Sequence, residues 1–151
     1  MNERIETSAG MTAAALPDRV QIENLFIRYT CALDAGEVET LVACFAADGS
    51  LLSPAVGEKK GHAAIREFAQ RFARFRERGS QLRHVISNFR ISVDGDRATA
   101  KCYLVVFLTR DGKSRLLAPG TYDCELVRSD GRWVFERRIV TMDHDYELEG
   151  L

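Results

Sequence analysis

A chain of 151 residues, 46% of them hydrophobic, has the length of one globular domain with room for a core and a pocket. Its 21 basic and 22 acidic residues nearly cancel, which argues against nucleic acid, an anionic membrane or a strongly charged substrate as partner. No run approaches the ~20 apolar residues of a membrane span, and the opening MNERIETSAGMTAAALPDR lacks the apolar stretch of a secretion signal, so a cytoplasmic location is expected.

Residues 1–17 read as a flexible N-terminal tail, with Met11 as an alternative start; residues 18–146 read as a single domain and 147–151 as a C-terminal tail. From Asp18, the apolar residues Val20, Ile22, Leu25, Phe26, Tyr29, Ala32 and Leu33 recur at helical spacing, and Gly36 marks the stop. EVETLVACFAADG continues with Val38, Leu41, Val42 and Phe45 as a second, shorter helix that closes at Asp48-Gly49. SLLSPAVGEKKG is a short extended piece with an irregularity at its proline, and HAAIREFAQRFARFRERG returns to helical spacing until Gly79. In that third helix Phe68, Phe72 and Phe75 make a buried stripe, while Arg66, Arg71, Arg74, Arg76 and Arg78 make a solvated face. The period then switches to two over four candidate strands, separated by the hairpin signals Asp94-Gly95, Asp111-Gly112 and Asp130-Gly131. Helices followed by an antiparallel meander give an α+β fold, with helices covering one face of a curved sheet. Pro119 and Gly120 suit a bulge that bends the sheet, and the inside of the resulting cone is the expected pocket.

Within this frame a few residues carry chemistry. Asp34, three residues before Glu37, reads as the N-cap of a capping box for the second helix, and equally as half of an acid/base pair. Alternation in QLRHVISN puts His84 on one face with Leu82 and Ile86, either as a core histidine or as a base whose tautomer a carboxylate fixes. A strand lying under the first helix would bring His84 to Asp34. Tyr29 is either an ordinary buried aromatic or a hydroxyl donor into the pocket, and Tyr103 and Tyr122 are further pocket candidates. Cys31, Cys44, Cys102 and Cys124 form no C-x-x-C pair and read as reduced core thiols. In MDHDY, His144 and its flanking aspartates alternate to opposite sides, which reads as a surface strand end and not as a metal site. No G-x-S-x-G, P-loop or dinucleotide fingerprint occurs, so neither metal nor cofactor is expected.

Together RYTCALDAGEVETLVACFAADGSLLSP, GHAAIREFAQRF, LRHVISNFRISVDGDRATAKCY and GTYDCELVRSDGRWVFERRIV resemble the SnoaL-like branch of the nuclear transport factor 2-like superfamily, over residues 18 to 143. The resemblance implies a cystatin-like cone, with three helices on a strongly curved, mainly antiparallel sheet around a deep pocket. It also implies cofactor-free elimination of the kind performed by scytalone dehydratase, bile acid dehydratase and hexachlorocyclohexane dehydrochlorinase. Asp34 and His84 match that family's aspartate and histidine, Tyr29 matches the tyrosine of the bile acid dehydratase pattern, and Arg138 falls on the W-x-x-x-x-R rhythm after Trp133. Two departures narrow it. Ketosteroid isomerases place their catalytic aspartate where this chain has Ser53, and scytalone dehydratase places tyrosines where it has Leu33 and the stretch Leu51 to Ser53.

The expectation is therefore a dehydratase-like lyase acting on a small hydrophobic cyclic hydroxy-carbonyl compound. Asp34, His84 and Tyr29 would be catalytic, and Tyr103, Tyr122 and Arg138 substrate-binding. An isomerase of the ketosteroid type, or a non-catalytic binding or assembly subunit, is the alternative. An exposed face of the open sheet implies a homodimer or homotrimer. The enzyme reading requires Asp34 within hydrogen-bonding reach of His84 and both facing an open cavity, whereas a filled cone favours the subunit.

Overall fold

The computed structural model describes residues 16–151, so most of the expected N-terminal tail lies outside the described residues. Helix α1 (Leu16–Ala35) buries Ile22, Leu25, Phe26, Tyr29, Ala32 and Leu33 along one stripe. Val20, expected in that stripe, is exposed because it stands 200° around the helix from Ile22. Gly36 takes φ +75° and ends the helix in a Schellman motif, in which Glu37 N–H donates to Ala32 O (2.9 Å) and Gly36 N–H to Leu33 O (3.4 Å).

The second helix is shorter than its spacing predicts. α2 (Val38–Val42) stops before Phe45, and the stretch that looked like its last turn opens strand β1 (Phe45–Ser53). Phe45 pairs in parallel with Phe135, and a Cβ on Gly49 would stand 2.8 Å from the Phe135 carbonyl oxygen; the sheet claims this segment from the helix. The turn through Pro54 leads to β2 (Gly57–Lys60), and α3 (Gly61–Glu77) follows, burying Ile65, Phe68, Ala69, Phe72 and Phe75 as expected.

The four predicted strands are β3 (Gln81–Asp94), β4 (Arg97–Arg110), β5 (Lys113–Ser129) and β6 (Arg132–Met142). They form an antiparallel meander within an open six-stranded sheet of order β2-β1-β6-β5-β4-β3, where β1 lies parallel to β6. Asp111-Gly112 and Asp130-Gly131 have positive φ at both positions (52° and 70°, 51° and 73°), as type I′ hairpins demand.

Three bulges decide what faces the cone. One extra residue on β3 near Asn88 (φ 58°) shifts the inward set from Leu82, His84 and Ile86 to Phe89, Ile91 and Val93. On β5 the extra residue is Leu117, just before the predicted Pro119-Gly120 position. On β6 it is Glu136, which turns the inward series from Phe135 to Arg138. Gly120 has its own role: a Cβ there would overlap the Thr141 carbonyl oxygen and stand 3.0 Å from Met142 Sδ. Gly120→Ala is expected to lower unfolding free energy by about 1–3 kcal/mol through overpacking, read from urea melts.

Candidate active site

Asp34 occupies the last turn of α1 and caps nothing. The N-cap position of α2 belongs to Glu37, without a side-chain cap bond, so the capping-box reading is corrected. A carboxylate at a helix C-terminus opposes the macrodipole, at about 0.3–1 kcal/mol. What holds it there is β3. His84 Nδ1–H donates to Asp34 Oδ1 at 2.6 Å, and the backbone N–H of His84 donates to Oδ2 at 2.9 Å. Gln81 Nε2 donates to the Asp34 carbonyl at 2.9 Å and to Leu82 O at 2.7 Å, stitching the helix end to the strand start.

Both carboxylate oxygens are thus taken by one residue, and the side chains are only 8% (His84) and 10% (Asp34) exposed. The carboxylate fixes the ring with its proton on Nδ1. Among the described residues Nε2 has no protein hydrogen-bond partner, and His84 lines the cavity inside the cone together with Tyr29, Leu33, Phe72, Leu104 and Tyr122. An imidazole held this way has the geometry that a general base requires, in a largely apolar chamber.

Tyr29 reaches the chamber from α1, five residues before Asp34. Burial pushes its phenol up to about 12, eased by the nearby Arg138 charge, so the hydroxyl stays protonated and available as a donor. Tyr122 stands on the same wall, and burial raises its phenol further. Tyr103 does not join them. Its neighbours Cys102 and Leu104 point inward on β4, and Tyr103 lies 58% exposed on the outer face.

Arg138 points inward but does not line the chamber. It is fully buried beneath Tyr29 and Tyr122, with its guanidinium carbon 4.0 and 3.6 Å from their ring centres, so a direct substrate contact is corrected to a place behind the wall. Cys44, Cys102 and Cys124 are buried, and burial pushes their thiols to about 11, 11 and 12; Cys31, expected in the core, is exposed on α1. His144 lies exposed beyond the end of β6, its Nδ1 against Asp145 O.

The chamber is nearly full. Its free volume is about 30 Å³, room for one or two water molecules. Tyr146 and Leu148, from the segment expected to be the domain's last residue and a C-terminal tail, fold back over the mouth and line the chamber with His84. Sequence reasoning missed them because nothing periodic marks DYELEGL; their signal is three apolar residues, Tyr146, Leu148 and Leu151, inside an acidic run.

Comparison with known proteins agrees with this architecture. An uncharacterized protein of Mycobacterium tuberculosis is 26% identical over 140 residues, 87% of this chain and 89% of its own. Among solved structures, a protein of unknown function from M. tuberculosis superposes with a TM-score of 0.77 at 27% identity, covering 87% of this chain and 79% of the other. An NTF2-like protein with a cystatin-like fold from Novosphingobium aromaticivorans gives 0.75 at 28%, covering 86% and 85%. A candidate scytalone dehydratase from the same organism gives 0.76 at 23%, covering 89% and 91%, a likeness of fold. The SnoaL-like domain model matches residues 14–139, nearly all of α1 through β6, and the chain belongs to the SnoaL-like family.

Proposed function

We propose that the protein is a cofactor-independent lyase of the dehydratase type, acting on a neutral, hydrophobic cyclic hydroxy-carbonyl compound. The observation that carries this reading is the 2.6 Å contact of Asp34 with His84 Nδ1, which leaves Nε2 free on a chamber wall. His84 Nε2 takes the proton alpha to the carbonyl, and the electron pair moves to the carbonyl oxygen. Asp34 holds the ring and balances the imidazolium. Tyr29 donates to the developing oxyanion or to the departing hydroxyl. The electron pair then returns and the C–O bond breaks; the departing hydroxide takes the proton held on His84 Nε2 and leaves as water, which restores the neutral imidazole. Beside His84, Ser53 and the hydroxyls of Tyr29, Tyr122 and Tyr146, the lining is apolar, with Leu33, Phe68, Phe72, Leu82, Leu104 and Val106, and among the described residues it holds no carboxylate, lysine or arginine, which favours an uncharged ligand. The candidate scytalone dehydratase among the fold neighbours is consistent with this class.

The test is incubation with a panel of cyclic β-hydroxy ketones in deuterated water, followed by NMR. The expected result is deuterium at the alpha carbon together with formation of the unsaturated ketone. Exchange without loss of water would point to an isomerase. Ligand-induced thermal stabilisation with neither event would sink the enzyme reading.

A second reading has one observation in its favour: the nearly filled cone fits a non-catalytic binding or assembly subunit. The homo-oligomer belongs to either reading and rests on Val85, Tyr103, Phe107 and Leu116, which are exposed on the outer side of the sheet.

A further inference from the structure

We infer that residues 143–151 form a strap that shuts the cone, with Tyr146 as the gate between His84 and solvent. This rests on the cone being the binding site, as proposed above, but not on the reaction. Tyr146 is a wall of two spaces at once. On one side is the chamber of about 30 Å³ beside His84; on the other is an open cleft of about 550 Å³ between the β1–β2 turn and the end of β6. Ser53, Ala55, Val140 and Met142 also belong to both, so the two spaces share a wall, and Tyr146 is the strap's contribution to it. Ligand pockets measure about 300–1,000 Å³. The chamber beside His84 falls far short of that range, so a ligand that reaches His84 needs room from the cleft side.

The way the strap is held fits a part that opens. Its root is fixed, since Asp143 N–H donates to Pro119 O at 2.9 Å. Beyond Asp143, among the described residues, no ladder bond ties it to the sheet, and its one other backbone bond is internal, Leu151 N–H to Leu148 O at 3.1 Å. The rest of the hold is three arginines that grip main-chain carbonyls from outside the cone. Arg71 donates to Leu151 O at 3.0 Å, Arg78 to Gly150 O, and Arg110 to Glu149 O at 2.7 Å. These bonds are solvent-exposed and individually weak. Inside, the strap contributes Tyr146, Leu148 and Leu151, each only partly buried against the core. A segment with an anchored root, no ladder and a half-buried apolar edge belongs to the low-stability end of a fold, where local opening precedes global unfolding. A ligand entering the cone takes the place of the strap's side chains, and its apparent affinity is reduced by the fraction of molecules that are closed.

The reaction of diethyl pyrocarbonate with histidines, mapped peptide by peptide, tests the gate without any substrate. In the wild-type protein His84 should react far more slowly than exposed His144. Tyr146→Ala should raise the His84 rate about tenfold or more, equivalent to about 1.4 kcal/mol of opening free energy, with His62 unchanged. The double variant Arg71→Ala/Arg78→Ala, whose side chains lie outside the chamber, should raise it in the same direction with an unaltered circular dichroism spectrum. If His84 reacts at the wild-type rate in both variants, or already as fast as His144 in the wild type, the strap is not the gate. If His84 becomes reactive in the variants but no substrate is ever turned over, the gate stands and the lyase reading falls.

Discussion

His84→Ala lowers turnover by about 10²–10⁴-fold, the usual contribution of a positioned general base, while the protein still folds. The fold should survive because the bond that places Asp34 does not depend wholly on the imidazole. The backbone N–H of residue 84 still reaches Asp34 Oδ2, and Gln81 still ties the Asp34 carbonyl to β3. Asp34→Asn should give a loss of similar size, because an amide no longer balances the imidazolium and can hold the ring with the wrong nitrogen protonated. The double variant should be little worse than His84→Ala alone, since two residues that act as one unit are not additive. Tyr29, with its phenol held near 12, adds no titration in the physiological range. Initial rates by NMR on a substrate from the hydroxy-ketone panel check all three variants. Full turnover by His84→Ala would remove the proton-transfer mechanism.

Much of this site was readable in the chain, and the reasons are local. Tyr29 and Leu33 lie on the helical stripe, Gly36 stops the helix, and strict alternation sets His84 among Leu82 and Ile86 before any bulge intervenes. Those positions follow from the two side-chain periods alone. The misread parts each involve a long-range event. The spacing predicts too long a second helix because only the pairing of Phe45 with Phe135 turns FAADG into a strand. DAGE has capping-box spacing, so the cap reading of Asp34 stands beside the acid/base reading in the sequence; the Schellman turn at Gly36 decides against the cap by placing Asp34 one residue inside the preceding helix. The pocket reading of Tyr103 fails because its neighbours Cys102 and Leu104 claim the inner face. The strap was invisible because its side chains are buried by a cone mouth assembled from distant elements. Asp34 also breaks a local rule, an acid at the negative end of a helix, and such breaches are where function tends to sit.

Arg138 extends the same argument, and its replacement should separate charge from packing. In an unbroken strand Arg138 would point opposite to Phe135 and Trp133; the extra residue Glu136 turns it into the core, where it is 0% exposed. Among the described residues no carboxylate pairs with it. Among the same residues Nη1 donates only to Cys124 Sγ at 3.3 Å, and Nε and Nη2 have no partner. Each unsatisfied buried donor costs about 1–3 kcal/mol. Four aromatic rings, Tyr122, Tyr29, Phe135 and Phe26, surround the guanidinium carbon at 3.6 to 4.9 Å from their centres, and a desolvated cation–π contact offsets about 2 kcal/mol or more. Even a buried ion pair can often be replaced by apolar residues of similar volume at no loss, or with a gain of about 1–4 kcal/mol, and among the described residues Arg138 has no ion-pair partner to lose. Arg138→Met is therefore expected to unfold at the wild-type temperature or above, and Arg138→Ala, which leaves a void, to lose about 2–5 kcal/mol. A charge that stability does not require, placed directly behind Tyr29, fits a positioning role: it favours electron density on the phenol oxygen as Tyr29 donates to an oxyanion. Arg138→Met should accordingly fold well and turn over about tenfold more slowly, equivalent to about 1.4 kcal/mol of transition-state stabilisation, with KM little changed. If the methionine variant instead loses several kcal/mol of stability, the cation–π cage holds the core together; if it keeps full turnover, Arg138 has no part in the chemistry.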